Sequence, residues 1–316
     1  MKKIIAILLV VAVIFALSAC GKLKKMESVI SEIADEIEFG DDMNFDDSDE
    51  DGGKPSEPKA KGMYTISNEV LVDNEYLTVT VVEAYENDDD DFILNILIEN
   101  KCDNHVQLTN SGLLSYNGYM VTSWWDKNVA PGEKVNSEML AYSGELELID
   151  AGVAEELIFE LKAYNSDDFE EEYYIDDYFA VYPTGLDADS VTYPDRVSPP
   201  GGKVIVDNED LKFTIESANE DDYWGYMLHL YVENRTEATI YLAWSDLSVN
   251  GFGVVPNWND TVLSGKRKLS FTYISPGYLD ANGITNVEEV EFQLVVRDLN
   301  DYYDKIYLDE TFTFNP

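Results

Sequence analysis

The 316-residue chain carries the tetrapeptide Val-Asp-Asn-Glu twice, at positions 72–75 and 206–209, which are 134 residues apart. At this offset, and at an offset of 133 after a one-residue deletion, similar residues continue to coincide over about 110 positions. The coinciding pairs include Leu94 with Leu228, Ile98 with Val232, Asn117 with Asn250, Trp125 with Trp258 and Tyr174 with Tyr307. A chance match would not keep its register over this length, so the chain is predicted to contain two copies of one domain.

Each copy has the alternating hydrophobic pattern of β-strands. Leu77, Val79 and Val81 alternate with polar residues, as expected for a strand with one buried face. The Asn-Gly pairs at positions 117–118 and 250–251 lie between apolar stretches and predict tight hairpin turns. About seven short strands per copy, separated by turn residues, predict an antiparallel β-sandwich. Residues 144–152 are the one stretch that is expected to form a helical turn.

Three short motifs of the first copy resemble those of a known repeat. They are Ile-Glu-Asn at 98–100, Tyr-Asn-Gly-Tyr at 116–119 and Val-Ala-Pro-Gly-Glu-Lys at 129–134, with counterparts at 232–234, 250–252 and 262–267. The pattern resembles the immunoglobulin-like repeats of many uncharacterised lipoproteins of Gram-positive bacteria. This resemblance implies an all-β fold of two tandem immunoglobulin-like antiparallel β-sandwiches, at 67–183 and 202–316. Because the motifs are turns and strand patterns, the resemblance implies no active site.

The N-terminus resembles a bacterial lipoprotein signal. Lys2 and Lys3 precede an apolar run at positions 4–17, which is shorter than the roughly 20 residues of a membrane span. The run ends in Leu-Ser-Ala before Cys20. The resemblance implies that residues 1–19 are removed and that the Cys20 thiol receives diacylglycerol, which would hold the protein at the extracytoplasmic face of the cell membrane. An uncleaved anchor or an ordinary secretory peptide is the alternative.

Residues 20–66 are predicted to separate the lipid from the first domain. Met26, Val29, Ile30, Ile33 and Ile37 have helical spacing, so a short amphipathic helix and a disordered tether both remain open. The acidic stretch at 35–51, followed by two prolines, predicts a solvated spacer. The stretch at 47–52 imitates the start of a calcium loop, but its twelfth position is Pro58 instead of a bidentate Glu, which favours a linker. A second linker, rich in Pro and Gly, is predicted at 184–201.

The charge of the chain restricts its partners. It has 21 basic and 63 acidic residues, giving a formal charge of −42. Such a field repels nucleic acid and anionic lipid, and it attracts cations, cationic peptides and basic protein surfaces. An acidic surface also keeps an exported protein soluble, which is the simpler interpretation.

No motif in the sequence predicts catalysis. The two histidines, His105 and His229, do not coincide between the copies, and no nucleophile elbow, phosphate loop or paired-cysteine site occurs. Cys102 is the one thiol besides Cys20, so the mature chain is expected to lack an intrachain disulfide. We therefore expect no enzyme activity, no cofactor and no metal site.

Aromatic residues are the candidate ligand-binding groups. Trp125 and Trp258 coincide between the copies, which suggests core packing, whereas Trp124 and Trp224 have polar counterparts and are expected to be exposed. The sequence thus predicts a membrane-anchored, non-catalytic binding or spacer module. The alternative is a lipoprotein that binds a glycan or a cationic peptide for transport or adhesion, with an extracellular protein, peptide or glycan as its unidentified partner. Because the linker is rich in Pro and Gly and both copies are acidic, we also expect weak coupling between them.

Overall fold

Strands dominate the structure, as the alternating apolar pattern predicts. The computed structural model describes residues 63–168, 173–193 and 196–316. It is 53% strand and 6% helix, with several antiparallel sheets, which confirms an all-β, sandwich-like architecture. The predicted signal peptide, Cys20, the possible helix and the acidic spacer lie outside the described residues.

The first half, residues 63–183, contains two sheets. In one sheet the strands follow the order β1-β2-β3-β8. In the other, β9 pairs with β10 along one edge, while β4 and β5 pair with successive parts of its other edge. Strand β7 pairs with β4, and β6 pairs with β5. The strands are β1 (Glu69–Asp73), β2 (Leu77–Glu86), β3 (Phe92–Asn100), β4 (Val106–Thr109), β5 (Leu113–Tyr116), β6 (Tyr119–Thr122), β7 (Asp126–Val129), β8 (Lys134–Ala141), β9 (Leu157–Asn165) and β10 (Ile175–Val181).

The second half, residues 202–316, has the same arrangement with one difference. Strands β11, β12, β13 and β17 lie side by side in a sheet that continues from β17 to β6 and the second sheet of the first half. Strands β14, β18 and β19 form the other sheet, with β15 and β16 paired to β14. Strand β14 runs unbroken where the first half has β4 and β5. The strands are β11 (Lys203–Asp207), β12 (Leu211–Asp221), β13 (Gly225–Asn234), β14 (Ile240–Val249), β15 (Phe252–Gly253), β16 (Asn259–Val262), β17 (Arg267–Ile274), β18 (Val290–Asp298) and β19 (Ile306–Phe314).

Among the described residues, two short α-helices connect strands, and a 3-10 helix (Ala188–Ser190) lies in the linker. Helix α1 (Ser143–Leu148) lies in the stretch where a helical turn is predicted. Helix α2 (Pro276–Ala281) occupies the equivalent place in the second half and is not predicted from the sequence. Its signal is local: the Ser275 side chain accepts a hydrogen bond from the backbone N–H of Tyr278, and Pro276 fills the first helical turn.

Residues aligned by the repeat make the same contacts in both halves. Trp125 and Trp258 are buried, and their indole nitrogens donate to Ser137 at 2.9 Å and to Ser270 at 3.0 Å. The side chains of Asn117 and Asn250 accept backbone hydrogen bonds from Glu155–Glu156 and from Glu288–Glu289, and both asparagines have positive φ. These turns therefore follow from the Asn-Gly pairs, which tolerate this backbone conformation.

The asparagine of each Val-Asp-Asn-Glu string closes a hairpin. The side chain of Asn74 accepts backbone hydrogen bonds from Tyr76 and Leu77, each at 2.9 Å, between β1 and β2. Asn208 does the same for Asp210 and Leu211, between β11 and β12. The repeated tetrapeptide thus encodes a turn in which the side chain replaces a backbone partner.

The two halves share a buried junction, and the expectation of weak coupling between them is wrong. Both halves belong to one compact unit. Arg267 at the start of β17 pairs in parallel with Tyr119 on β6. Met120 and Ile158 of the first half pack against the core of the second half, and Leu269 packs against the core of the first. The Pro and Gly content of the linker led to this expectation, but the other linker side chains, such as Tyr193 and Arg196, contact both halves.

Candidate functional site

Trp224 lies in a group of four aromatic residues, which we call the aromatic cluster: Tyr223, Trp224, Phe271 and Tyr273. The Trp224 ring is 4.9 Å from Tyr223 and 4.9 Å from Tyr273, measured between ring centroids. The Phe271 ring lies 6.4 Å from the Trp224 ring, and both Phe271 and Tyr223 meet Trp224 edge to face. Tyr223 is 64% exposed and Phe271 is 51% exposed, so the cluster presents its rings to solvent. Trp224 itself is half-buried, which is less exposed than the sequence predicts.

The turn between β12 and β13 places Trp224 against β17. Gly225 has φ of +88°, and an added Cβ would collide with the carbonyl oxygen of Ile274 and with Pro276. Only glycine allows this close approach of the hairpin to the end of β17. Because Tyr273 directly precedes Ile274, the approach brings the Trp224 ring into contact with Tyr273.

Three acidic residues lie in the same hairpin as Trp224, and one of them, Glu220, is the cross-strand partner of the buried Tyr226 on the inner side of the sheet. Glu220 and Asp222 are exposed, and Asp221 lies between them in sequence. The backbone N–H groups of Trp224 and Tyr223 donate to the Asp221 carboxylate at 2.8 Å and hold its pKa below its usual range. Asp221 therefore stays ionised at neutral pH. The hairpin combines aromatic faces with concentrated negative charge, a combination that attracts organic cations.

The outer face of the β12–β13–β17 sheet is covered over one part and open over the rest. The covered part lies under Arg196, whose guanidinium is 5.6 Å from the Tyr231 ring and forms two hydrogen bonds to Glu216, at 2.6 and 2.8 Å. The bond to Glu216 raises the pKa of Arg196 further above its already high value. Met227, His229 and the aromatic cluster lie on the open part, and we call this surface the open face.

The open face runs into a groove between the two halves, which we call the junction groove. Its volume is about 520 Å³, and its walls include Met120, Leu148 of α1, Leu269 and Phe271. Phe271 belongs to both the groove and the aromatic cluster, so the two surfaces are continuous. Glu145 fixes α1 at the wall, because its carboxylate accepts hydrogen bonds from the backbone N–H and the hydroxyl of Thr122, at 2.8 and 3.0 Å.

A buried polar network also joins the two halves. The Lys266 ammonium group lies 2.7 Å from a carboxylate oxygen of Glu156, and both residues are less than 10% exposed. The Tyr193 hydroxyl donates to the same carboxylate, and the ammonium group lies 4.8 Å from the Tyr193 ring. Burial and this hydrogen bond raise the pKa of Tyr193 well above its usual value, so the phenol stays neutral. The network ties the linker and both halves into one body.

The other predicted site residue, Trp124, lies elsewhere. It follows β6 in the first half, is 77% exposed, and its ring rests on Gly112. Among the described residues no ring contact joins Trp124 to Trp224, so the structure does not bring the two candidates into one site. Cys20, the predicted lipidation site, lies outside the described residues.

Histidine and cysteine form no recognisable reaction centre in the described ranges. Cys102 is a half-buried thiol whose Sγ lies 3.4 Å from the Tyr76 carbonyl oxygen. His105 contacts Asp167 at 3.2 Å, and His229 contacts Asn219 at 2.9 Å. Within residues 63–168, 173–193 and 196–316, no group of three or more metal-binding side chains is arranged around a common point. The same ranges contain no helix with the length and apolar character needed to span a membrane.

Sequence reasoning identifies Trp224 but misses its partners Phe271 and Tyr273. These two residues alternate along β17 with the buried Thr272 and Ile274 and therefore point outward. The sequence does carry a signal for them. Leu269, Phe271 and Tyr273 are large apolar residues at alternate positions of one strand, on the side opposite to the buried residues.

Comparison with known proteins assigns no family. No protein-family model and no curated protein matches the chain. A protein of unknown function from Porphyromonas gingivalis W83 is 9% identical, with a TM-score of 0.22, over 76% of this chain and 99% of that one. Red sea bream transglutaminase is 10% identical, with a TM-score of 0.20, over 79% of this chain and 31% of that one. A calcium-binding mutant of Bacteroides uniformis beta-glucuronidase 2 is 11% identical, with a TM-score of 0.22, over 74% of this chain and 27% of that one.

This chain thus spans less than a third of the length of the latter two proteins. Similarity at these TM-scores carries no argument about activity.

Proposed function

We propose that this chain is a lipoprotein, anchored through acyl chains on Cys20 at the extracytoplasmic face of the cell membrane, that acts as a non-catalytic binding module. The observation that supports binding is the open aromatic cluster in the same hairpin as the carboxylates of Asp221 and Asp222. Isolated exposed apolar residues are ordinary on a protein surface, but contiguous aromatic patches commonly mark interaction sites. The acidic segment at 35–51 would act as a spacer, because like charges extend a chain away from an anionic membrane surface.

The two β-rich halves are proposed to be tandem immunoglobulin-like domains. Support comes from the equal contacts of Asn117 and Asn250 and of Trp125 and Trp258, at positions that the repeat aligns. The buried junction gives the binding module a fixed geometry, because the ion pair of Lys266 and Glu156 joins the two halves.

A second candidate function is binding of a glycan or a cationic peptide on behalf of a transport or adhesion system. The same aromatic cluster favours it, because aromatic faces stack on sugar rings and attract cations. The two functions differ in whether the bound ligand is passed to another protein. The assay that separates them from an enzyme is product analysis after incubation with cell-wall glycans and peptides, where any turnover would refute both.

Anchoring is tested by replacing Cys20 with alanine. The variant is expected to lose its acyl chains and to leave the detergent phase of a phase-separated cell extract, because a single polar N-terminus cannot replace two buried chains. Cys102→Ala is the matched control, since it removes the other thiol and is expected to stay in the detergent phase at the mass of the lipidated protein.

The proposed anchoring is refuted if the Cys20→Ala protein partitions into detergent at unchanged mature mass. Mass spectrometry of the N-terminal peptide distinguishes loss of the lipid from retention of the signal segment.

A further inference from the structure

We propose that the open face binds an extended segment of a partner protein that bears lysine or arginine side chains, with one cation on the aromatic cluster and the segment running toward the junction groove. This inference rests on the proposed binding function and specifies its site and the chemistry of its ligand.

The outer face of the sheet is exposed only where the linker does not cover it. Arg196 and Glu216 pair over Tyr231 and close that part of the sheet. Beyond them, Phe271 and Tyr223 are more than half exposed. Leaving large rings in water costs hydrophobic free energy, so a surface that keeps them open beside a covered region has the character of a binding site.

The dimensions suit an extended segment. Leu269, Phe271 and Tyr273 project from the same side of β17, and the distance from Leu269 to Tyr273 is about 14 Å at the rise of an antiparallel strand. An extended peptide of about five residues covers that distance. One end of the track lies at the acidic hairpin, and the other end lies at the junction groove, where Leu148 is 72% exposed.

Charge determines the class of ligand. Asp221 and Asp222 form no ion pair with any described residue, so their charge is available to a ligand. At the groove, Arg196 and Lys268 are already paired with Glu216 and Asp260, and they offer little net positive charge.

The formal net charge of the whole chain is −42, and this also favours a cationic ligand. The acidic segment at 35–51 of this same chain has the wrong sign for this surface. A neutral glycan would gain the stacking but none of the electrostatic attraction.

The test measures binding of a fluorescent octapeptide of alternating lysine and alanine to the full-length protein in non-ionic detergent. Trp224→Ala and Tyr273→Ala are each expected to weaken binding about tenfold, because they remove a cation–π face without changing the charge. Trp224→Phe should restore most of the affinity. Asp222→Asn should weaken binding and reduce its dependence on salt.

Tyr303→Ala is the matched control. Tyr303 is 87% exposed and stands between Asp301 and Asp304, so it offers an aromatic ring among carboxylates outside the open face. Its loss is expected to leave the affinity unchanged. Phe271→Ala is a second variant in the site, and circular dichroism of all variants verifies that the sheet is intact.

Three results would overturn the proposal. Equal affinity of wild type and Trp224→Ala would mean that the peptide is held by diffuse attraction to an acidic protein. No binding of the lysine peptide would exclude the ligand class. Binding of a hexamer of N-acetylglucosamine at Trp224, with no binding of the peptide, would replace a cationic ligand by a glycan while the proposed binding function stands.

Discussion

Lys266→Met is expected to lower the free energy of unfolding by about 3–5 kcal/mol, the usual cost of removing one partner of a buried ion pair. Glu156 is only 7% exposed, and its carboxylate would remain at the junction with Tyr193 as its main hydrogen-bond donor. A buried carboxylate without a counter-charge loses its hydration and gains little in return. The measurement is urea unfolding of the full-length protein, followed by tryptophan fluorescence.

The control for this substitution is Lys134→Met. Lys134 pairs with Glu99 at 2.8 Å, but the two side chains are 60% and 37% exposed, so water screens the interaction. An exposed pair contributes about 1 kcal/mol or less. If both substitutions lower the free energy of unfolding equally, the junction is hydrated and Lys266 does not hold the halves together.

Combining Lys266→Met with Glu156→Gln should recover most of the lost stability. Glutamine keeps an acceptor for the Tyr193 hydroxyl, and no buried charge is left without a partner. The double variant also separates two causes of instability. If it remains as unstable as Lys266→Met alone, the aliphatic packing of Lys266 is responsible and the ion pair is not.

The junction is the part of the fold that sequence analysis predicts wrongly, and Lys266 shows why. It follows Gly265 in a turn and precedes two further basic residues, which is the usual pattern of an exposed loop. Its burial depends on Glu156, which lies 110 residues earlier in the chain. Periodicity within one strand contains no information about such a pair, because each residue alone fits a surface position.

The strands are predicted well because their signal is local. Leu77, Val79 and Val81 alternate with threonines, and all three are fully buried in β2. The same locality explains the partial prediction of the candidate site. Trp224 is singled out by an aspartate at its aligned position, but Phe271 joins it only through the pairing of β13 with β17.

Asn234→Ala is expected to destabilise the second half by about 3 kcal/mol or more, because it leaves several buried backbone groups without partners. Asn234 is 1% exposed, and its side-chain amide donates to the carbonyl oxygens of Ala238, Val262 and Leu263, at 2.8, 3.0 and 3.0 Å. Its side-chain oxygen accepts from the Thr236 backbone N–H at 2.9 Å. Hydrogen exchange of the amides of β13 and β16 measures the effect locally.

Asn100→Ala is the matched variant in the first half. Asn100 is equally buried and donates to Asn104, Val129 and Ala130, at 2.8, 2.9 and 3.1 Å. Because Asn100 and Asn234 close equivalent turns, the two substitutions should cost similar free energies, each with faster exchange first in its own half. Asn128→Ala, on exposed hydrogen bonds to Gln107 and Ser166, should cost less than about 1 kcal/mol. If Asn234→Ala behaves like Asn128→Ala, the carbonyls of Val262 and Leu263 have found water, and the turn is held by its backbone alone.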